Sequence, residues 1–376
     1  MVLPAQTPDL EFFRVGVFPA TIPVKPTLTR DGTLTWSNTT TPVDYVIEST
    51  GSLWNGAWEP VTRGIASNYT HSVRVVHPSP PAGMVFIPGG QFTMGDVLGD
   101  HSNASPAHSV KVSPFFTQIH EVTIAQVAML FQWGLTNNLI AVVGDYVQGM
   151  QGTNLYRLNR YNSEVYFLNG HFFVKAGRDS FPSPYVSWFG AVTLCNLASR
   201  IQGKEECYSL ETWECDFGKN GFRLPTEAEW EFAARASLHA TRFPWGDTNV
   251  ITHSRANYKS STNNVYDVSP TLGLHPDYAA NKPSSSPVGT FPPNNYGLRD
   301  MCGNVWEWVW DWSARYPSEY IEDPTGPSSG RFRVFRGGSW YTTAERVTCA
   351  ARYTSAGPEA MIEDVGFRMV IPFRSQ

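Results

Sequence analysis

Apolar and polar positions first alternate in short runs along this chain and only later settle into helical spacing. Residues 32–37, 44–50, 57–63 and 71–77 mix Val, Thr, Trp and Tyr, with turn signals at Arg30-Asp31-Gly32 and Thr50-Gly51-Ser52 between runs. Period-two runs broken by such turns predict short antiparallel strands. Residues 1–80 predict a small all-β module of fibronectin III or immunoglobulin-like character, with residues 11–18 either its edge strand or the tail of a preceding unit. The Pro-rich residues 77–83 read as a stiff linker.

Residues 81–376 form the second expected domain, with few helices and many loops. Residues 122–135 place apolar side chains at helical intervals, with Thr123 as N-cap and Gln126 completing a capping box. Residues 187–203 predict a second helix ending at Gly203. Residues 224–236 predict a third, capped by Thr226 and Glu229, with Trp230, Ala233 and Ala234 facing inward. Between 247 and 293 no periodicity survives, and a loop that long is functional or pinned by something such as a metal. Trp306, Trp308, Trp310 and Trp312 alternate as in a strand. Core packing is the favoured reading of that run over a sugar-stacking platform. Residues 333–340 and 366–373 predict further short strands.

Composition narrows the function classes. Charged residues are 16% of the 376, aromatics 14%, and the formal net charge is -5. A basic footprint for nucleic acid is lacking, and no apolar run approaches the ~18 residues of a membrane span. Low charge with abundant Thr, Ser, Asn, Gly and Pro leans towards an extracellular or cell-surface protein. The cysteines are Cys195, Cys207, Cys215, Cys302 and Cys349, without a CxxC. Buried thiols are the ordinary expectation, with a Cys207–Cys215 bridge as the alternative.

Seven strings occur in order: MVFIPGGQFTMGD (84–96), PYVSW (184–188), NGFRLPTEAEWEFAARA (220–236), FPWGD (243–247), NNYGLRDMCGNVWEWVWDW (294–312), RVFRGGSW (333–340) and GFRMV (366–370). This order resembles the formylglycine-generating enzyme, or sulfatase-modifying-factor, family from Gly83 to the C-terminus. The resemblance implies an α+β, C-type-lectin-like fold that often holds calcium. It also implies a copper ion held by two cysteines just after Gly337-Gly338-Ser339. This chain carries Thr342 and Ala344 at those positions, and Cys349 matches the family's next cysteine. Soft Cu(I) needs thiolates, so neither copper nor formylglycine formation is expected. The related iron-dependent sulfoxide synthases use a His-x-x-x-His-x-Glu pattern. His101, His108 and His120-Glu121 do not supply that spacing.

Calcium needs six to eight oxygens from carboxylates and loop carbonyls. Asp300, the carbonyls of Gly303 and Val305, and Glu307 match the family's ligand positions. The rival reading pairs Asp300 and Glu307 with Arg299 and Arg315. A second expected set joins Asn257, the Tyr258 carbonyl and Asp277, with the Ala279 carbonyl as a further donor. Arg223, Arg336 and Arg352 are expected to brace loops against Glu227, Glu229 and Glu231.

The leading expectation is a non-catalytic module binding a protein or glycan. Its ligand-facing residues would be Tyr341, Thr342, Thr343, Tyr353, Thr354 and Ser355, at a shallow pocket bordered by Trp306 and Ser339. Residues 341–344 and 353–357 belong to the set that adenine mutagenesis of an asparagine codon yields. That also resembles the lectin-fold variable proteins of diversity-generating retroelements. The alternative is a maturation-type oxidoreductase or related metalloenzyme working through other residues.

Overall fold

The computed structural model describes residues 80–158 and 164–373, with the backbone of six strands between 12 and 74. The chain divides into two compact units, Met1–Pro80 and Pro81–Gln376. In the first, Val43–Thr50 lies between Phe12–Phe18 and Glu59–Ala66 in one antiparallel sheet. Thr33–Ser37 lies between Thr27–Leu28 and Thr70–Arg74 in another. Of the expected linker, residues 77–79 lie outside the described residues, and 80–83 lead by a turn into the next strand.

The second unit is α+β and built around three helices, each started by a side-chain cap. Thr123 and Gln126 form the capping box of α1 (Ile124–Thr136). The Ser187 hydroxyl accepts from the Gly190 amide at the start of α2 (Trp188–Ile201). Thr226 and Glu229 form the box of α3 (Glu227–Arg235). Capping fixes each start because a helix's first amides have no partner of their own. All nine residues of α3 are buried, including Glu227, Glu229 and Glu231. The expected inward face of Trp230, Ala233 and Ala234 is therefore only part of a central pin.

Beside α3 lies a four-stranded sheet in the order Arg352–Ala356, Arg333–Arg336, Trp306–Trp312, Val365–Gly366. Glu307 pairs with Arg336 and Trp308 with Phe335 in antiparallel register. The tryptophan run is packed on both faces: Trp306 and Trp308 are buried, and Trp310 and Trp312 half-buried. The Arg333 guanidinium lies 3.6 Å from the Trp188 ring centre and 3.5 Å from that of Trp312. Trp188 Nε1 donates to the Val309 carbonyl and Trp308 Nε1 to that of Val186, each at 3.0 Å. These rings are spent on packing, which leaves no stacking platform.

Residues 247–293 contain no helix or strand beyond isolated bridges. Side chains pin them instead. Tyr258 donates its hydroxyl to Asp267 at 2.6 Å, and Asp267 also accepts from Ser260 and the Ser261 amide. Among the described residues no helix is long and apolar enough to cross a membrane.

Candidate functional site

Two glycines place the turn that carries the expected ligand residues. Gly337 and Gly338 have φ of +93° and +75°. A Cβ on Gly338 would lie 2.4 Å from Val347 Cγ1 and 2.7 Å from the Arg346 carbonyl. Only glycine admits that approach. Beyond it, Ser339 is buried and donates its hydroxyl to Asp364 Oδ2 at 2.6 Å. Thr342 Oγ1 accepts from the Ser339 amide at 2.8 Å and donates to the Ser339 carbonyl at 3.1 Å. Thr343 donates to Glu345, and Ala344 is fully buried.

Tyr341 stands out of this turn, 59% exposed, with its ring 5.2 Å from Lys259 Nζ. Trp340 lies beneath, buried, and its indole Nε1 has no hydrogen-bond partner. Tyr353 differs: it is half-buried and stacks on Phe335 at 5.0 Å, with Trp306 at 6.0 Å. Thr354 is half-buried and Ser355 exposed. Asp364 joins the two groups, because its carboxylate takes Ser339 and its carbonyl accepts from the Trp306 amide at 2.8 Å. Burial raises Asp364 above its ordinary range, against the pull of the Ser339 hydroxyl. No sequence signal pointed to Asp364. The three concavities described lie elsewhere, away from Tyr341, Trp306 and Ser339.

The expected calcium residues divide. Asp300 is buried in left-handed backbone, and its Oδ2 accepts from the Gly289 amide at 2.5 Å while Oδ1 has no partner. Burial pushes it up to about 6. Glu307 is committed: Arg368 donates to Oε1 at 2.6 Å and Oε2 at 2.7 Å, and Trp230 Nε1 to Oε2 at 2.8 Å. Its partner is thus Arg368, not Arg299 or Arg315. Arg299 instead donates to the Gly289 and Phe291 carbonyls.

Sequence reasoning missed Glu121, weighed only as the neighbour of a histidine. It is fully buried with both oxygens unpartnered. Burial, then Asp300 and Glu307, hold its carboxyl well above the usual range. Orphaned carboxylate oxygens on Glu121 and Asp300 fit a divalent cation completed by loop carbonyls. Among the described residues no three His, Cys, Asp or Glu side chains converge on a metal-holding point. Backbone oxygens, such as those expected from Gly303 and Val305, would have to supply the rest.

The second expected set fits less well. Asn257 Oδ1 is buried and unpartnered, but Asp277 lies exposed. The Tyr258 carbonyl interacts with His253 Nε2 at 3.1 Å, and His275 Nε2 with the His253 carbonyl at 2.9 Å. A pair of buried histidines closes the loop where a calcium ion was expected.

Two further features frame the site. An open cleft of about 510 Å³ is lined by His108, Asp311, Trp312, Tyr316 and Arg352 among others. All five cysteines are free thiols, so the Cys207–Cys215 bridge is not formed. Cys302 and Cys349 are both buried.

Comparison with known proteins agrees with this geometry. Residues 72–372 match the family described as sulfatase-modifying factor enzyme 1-like domain. The chain is 29% identical over 334 residues to the formylglycine-generating enzyme of Bos taurus, covering 80% of this chain and 78% of that one. It is 32% identical over 293 residues to serine/threonine-protein kinase pkn1 of Chlamydia pneumoniae. That match covers 76% of this chain but 37% of the kinase. Among solved structures, Treponema denticola variable protein 1 superposes with a TM-score of 0.53 at 25% identity, covering 77% of this chain and 95% of that one.

Proposed function

The chain belongs to the sulfatase-modifying factor enzyme 1-like family, and from that premise we propose that it is a ligand-binding member, not a formylglycine-forming one. The observation that carries this is what stands where the family resemblance puts copper thiolates. Thr342 commits its hydroxyl to the backbone of Ser339, and Ala344 offers only a buried methyl. Neither gives soft Cu(I) a sulfur ligand. The same turn presents Tyr341 to solvent, rigid aromatic area with a polar tip, which gains contact at low entropy cost. The ligand is a protein or glycan met outside the cell, and likeness to a variable protein supports a retroelement-diversified receptor. Thr342, Thr343, Thr354 and Ser355 flank the contact. Trp306 and Ser339 support it from beneath. Calcium serves structure: bound by Asp300 and Glu121, it would neutralise two buried carboxylates and clip the loop that precedes Trp306.

The rival reading, a maturation-type oxidoreductase, is supported by the likeness to the formylglycine-generating enzyme. The test incubates the protein with a sulfatase-motif cysteine peptide, copper and oxygen, and follows the peptide's mass. No conversion is expected, and conversion overturns the binding reading. On glycan and peptide arrays, Tyr341→Ala should weaken retained binding at least tenfold and leave the melting temperature unmoved.

A further inference from the structure

The open cleft of about 510 Å³ lies apart from the Tyr341 turn, and its floor has spent its donors but not its acceptors. Arg352 gives Nε and Nη2 to Glu227, and Nη1 to the carbonyls of Asn103 and Ala314. The Tyr316 hydroxyl donates to Glu227 at 3.0 Å. Asp311, 6% exposed, uses Oδ2 for the Glu227 amide, and its Oδ1 has no hydrogen-bond partner among the described residues. His108, 5% exposed, turns Nδ1 towards the Pro106 carbonyl at 3.4 Å. A carbonyl can only accept, so the neutral ring keeps its proton on Nδ1 and leaves Nε2 as an acceptor. Among the described residues nothing bonds to that Nε2. We propose that this cleft binds an organic cation, an ammonium or guanidinium group on a short aliphatic stem, with Asp311 taking the charge and His108 accepting a further N–H.

Size, walls and charge agree. The volume falls in the range of small-molecule sites. Trp312, Pro317 and Pro324 give the walls apolar faces for a methylene stem. Gly326, at the rim, has φ of +70°, and a Cβ there would lie 2.8 Å from Asp311 Oδ1. Only glycine lets the rim pass so close to the acid. The other carboxylates of the wall are engaged, Asp323 by the Ser113 amide and hydroxyl, Glu322 by Lys111 and Tyr320. An anion would find no free guanidinium in the floor, because Arg352 is committed and Arg315 is exposed. Burial, then Glu227, push Asp311 up to about 7, with the Glu227 amide and Arg352 opposing and Glu229 adding to the rise. Arg333 faces it from the neighbouring strand. Below neutrality a cation must therefore displace the proton on Asp311, and binding tightens as pH rises.

The experiment titrates the full chain by calorimetry with n-butylamine and n-butylguanidine, against 1-butanol as a neutral isostere. At pH 8 both cations should bind at least tenfold more tightly than the alcohol, and about tenfold more weakly at pH 6 than at pH 8. Blocked lysine and arginine amides separate two sources of the same group. Tighter binding than the free cations assigns a peptide side chain, and weaker binding assigns a free amine. Asp311→Asn keeps an oxygen for the Glu227 amide and should abolish both the preference over alcohol and the pH dependence. Thr325→Trp, at the exposed rim, should weaken both cations at least tenfold with Tm unmoved. Tyr341→Ala should leave cation binding unchanged, so failure here and failure of the Tyr341 reading are distinguishable. The inference is overturned if the alcohol binds as tightly as the cations, or if folded Asp311→Asn keeps the preference. Absence of cation binding up to about 20 mM at pH 8 overturns it equally.

Discussion

Around α3 four buried carboxylates meet guanidinium groups: Glu227 with Arg352, Glu229 with Arg223, Glu231 with Arg235 and Arg336, Glu307 with Arg368. Glu121 and Asp300 are also buried, and both carry oxygens with no partner. Burial pushes Glu231, Glu121 and Asp300 towards the neutral acid. Arg235 and Arg336 outweigh it at Glu231 and hold that carboxyl below its ordinary value. Nothing outweighs it at Glu121. The difference separates two uses of a buried acid. One is a brace completed by the chain itself, and the other waits for a cation or a proton from outside.

The paired region should break hardest. Arg368 donates to both oxygens of Glu307 and to the carbonyls of Gln118, Ile119 and Arg299. Arg368→Met leaves a carboxylate in the core with only the Trp230 indole for company. A loss of about 3–5 kcal/mol is expected, read from the urea midpoint at constant slope. A loss under 1 kcal/mol would mean that water reaches Glu307 and that the contrast between the regions is false.

The unpartnered region should respond to metal instead. With calcium at ~100-fold over Kd, stabilisation is about 2.7 kcal/mol, a few degrees in melting temperature for a chain this long. Chelator should remove it. Glu121→Gln should leave the metal-free midpoint unchanged or higher, because it deletes a buried ionisable group, and should erase the calcium increment. An increment that persists in Glu121→Gln would take Glu121 out of the ligand set.

How much of this was legible in sequence follows from how local each interaction is. The three helix starts were readable because Thr123, Ser187 and Thr226 cap amides within three residues. The braces of Arg223, Arg336 and Arg352 were legible as a class, since the carboxylates crowd into one short helix. Arg368–Glu307 was not, because only the closed fold brings such distant positions together. The hairpin of Val165–Leu168 and His171–Val174 was missed despite a readable signal. Its Asn169-Gly170 turn has both φ positive, +50° and +82°, as a two-residue hairpin requires. The calcium residues were expected from resemblance, and the resemblance could not show that Arg368 had taken Glu307.

The smallest effect tests whether an unpaired acid behaves as such where no metal ion is expected. Asp311 is buried beside the cleft, with no guanidinium within ion-pair distance among the described residues. Its Oδ2 accepts from the Glu227 amide at the start of α3, at 2.7 Å. Burial, then the negative charge of Glu227, push it up to about 7 against the opposing pull of that amide and of Arg352, with Glu229 adding to the rise. For an acid raised on folding, the native state holds the proton more tightly than the unfolded chain. Its contribution is then fully present below the ordinary value of 3.8 and lost as pH rises through about 7. Asp311→Asn removes the titration and keeps an oxygen for the Glu227 amide. The variant should therefore gain on the parent by about 2 kcal/mol between pH 5 and pH 8.5, measured as the difference in unfolding free energy. A gap that stays constant over that range would show that Asp311 is ionised in the native state throughout. The cleft would then supply a partner for it, and Asp311 would move to the paired side of the comparison.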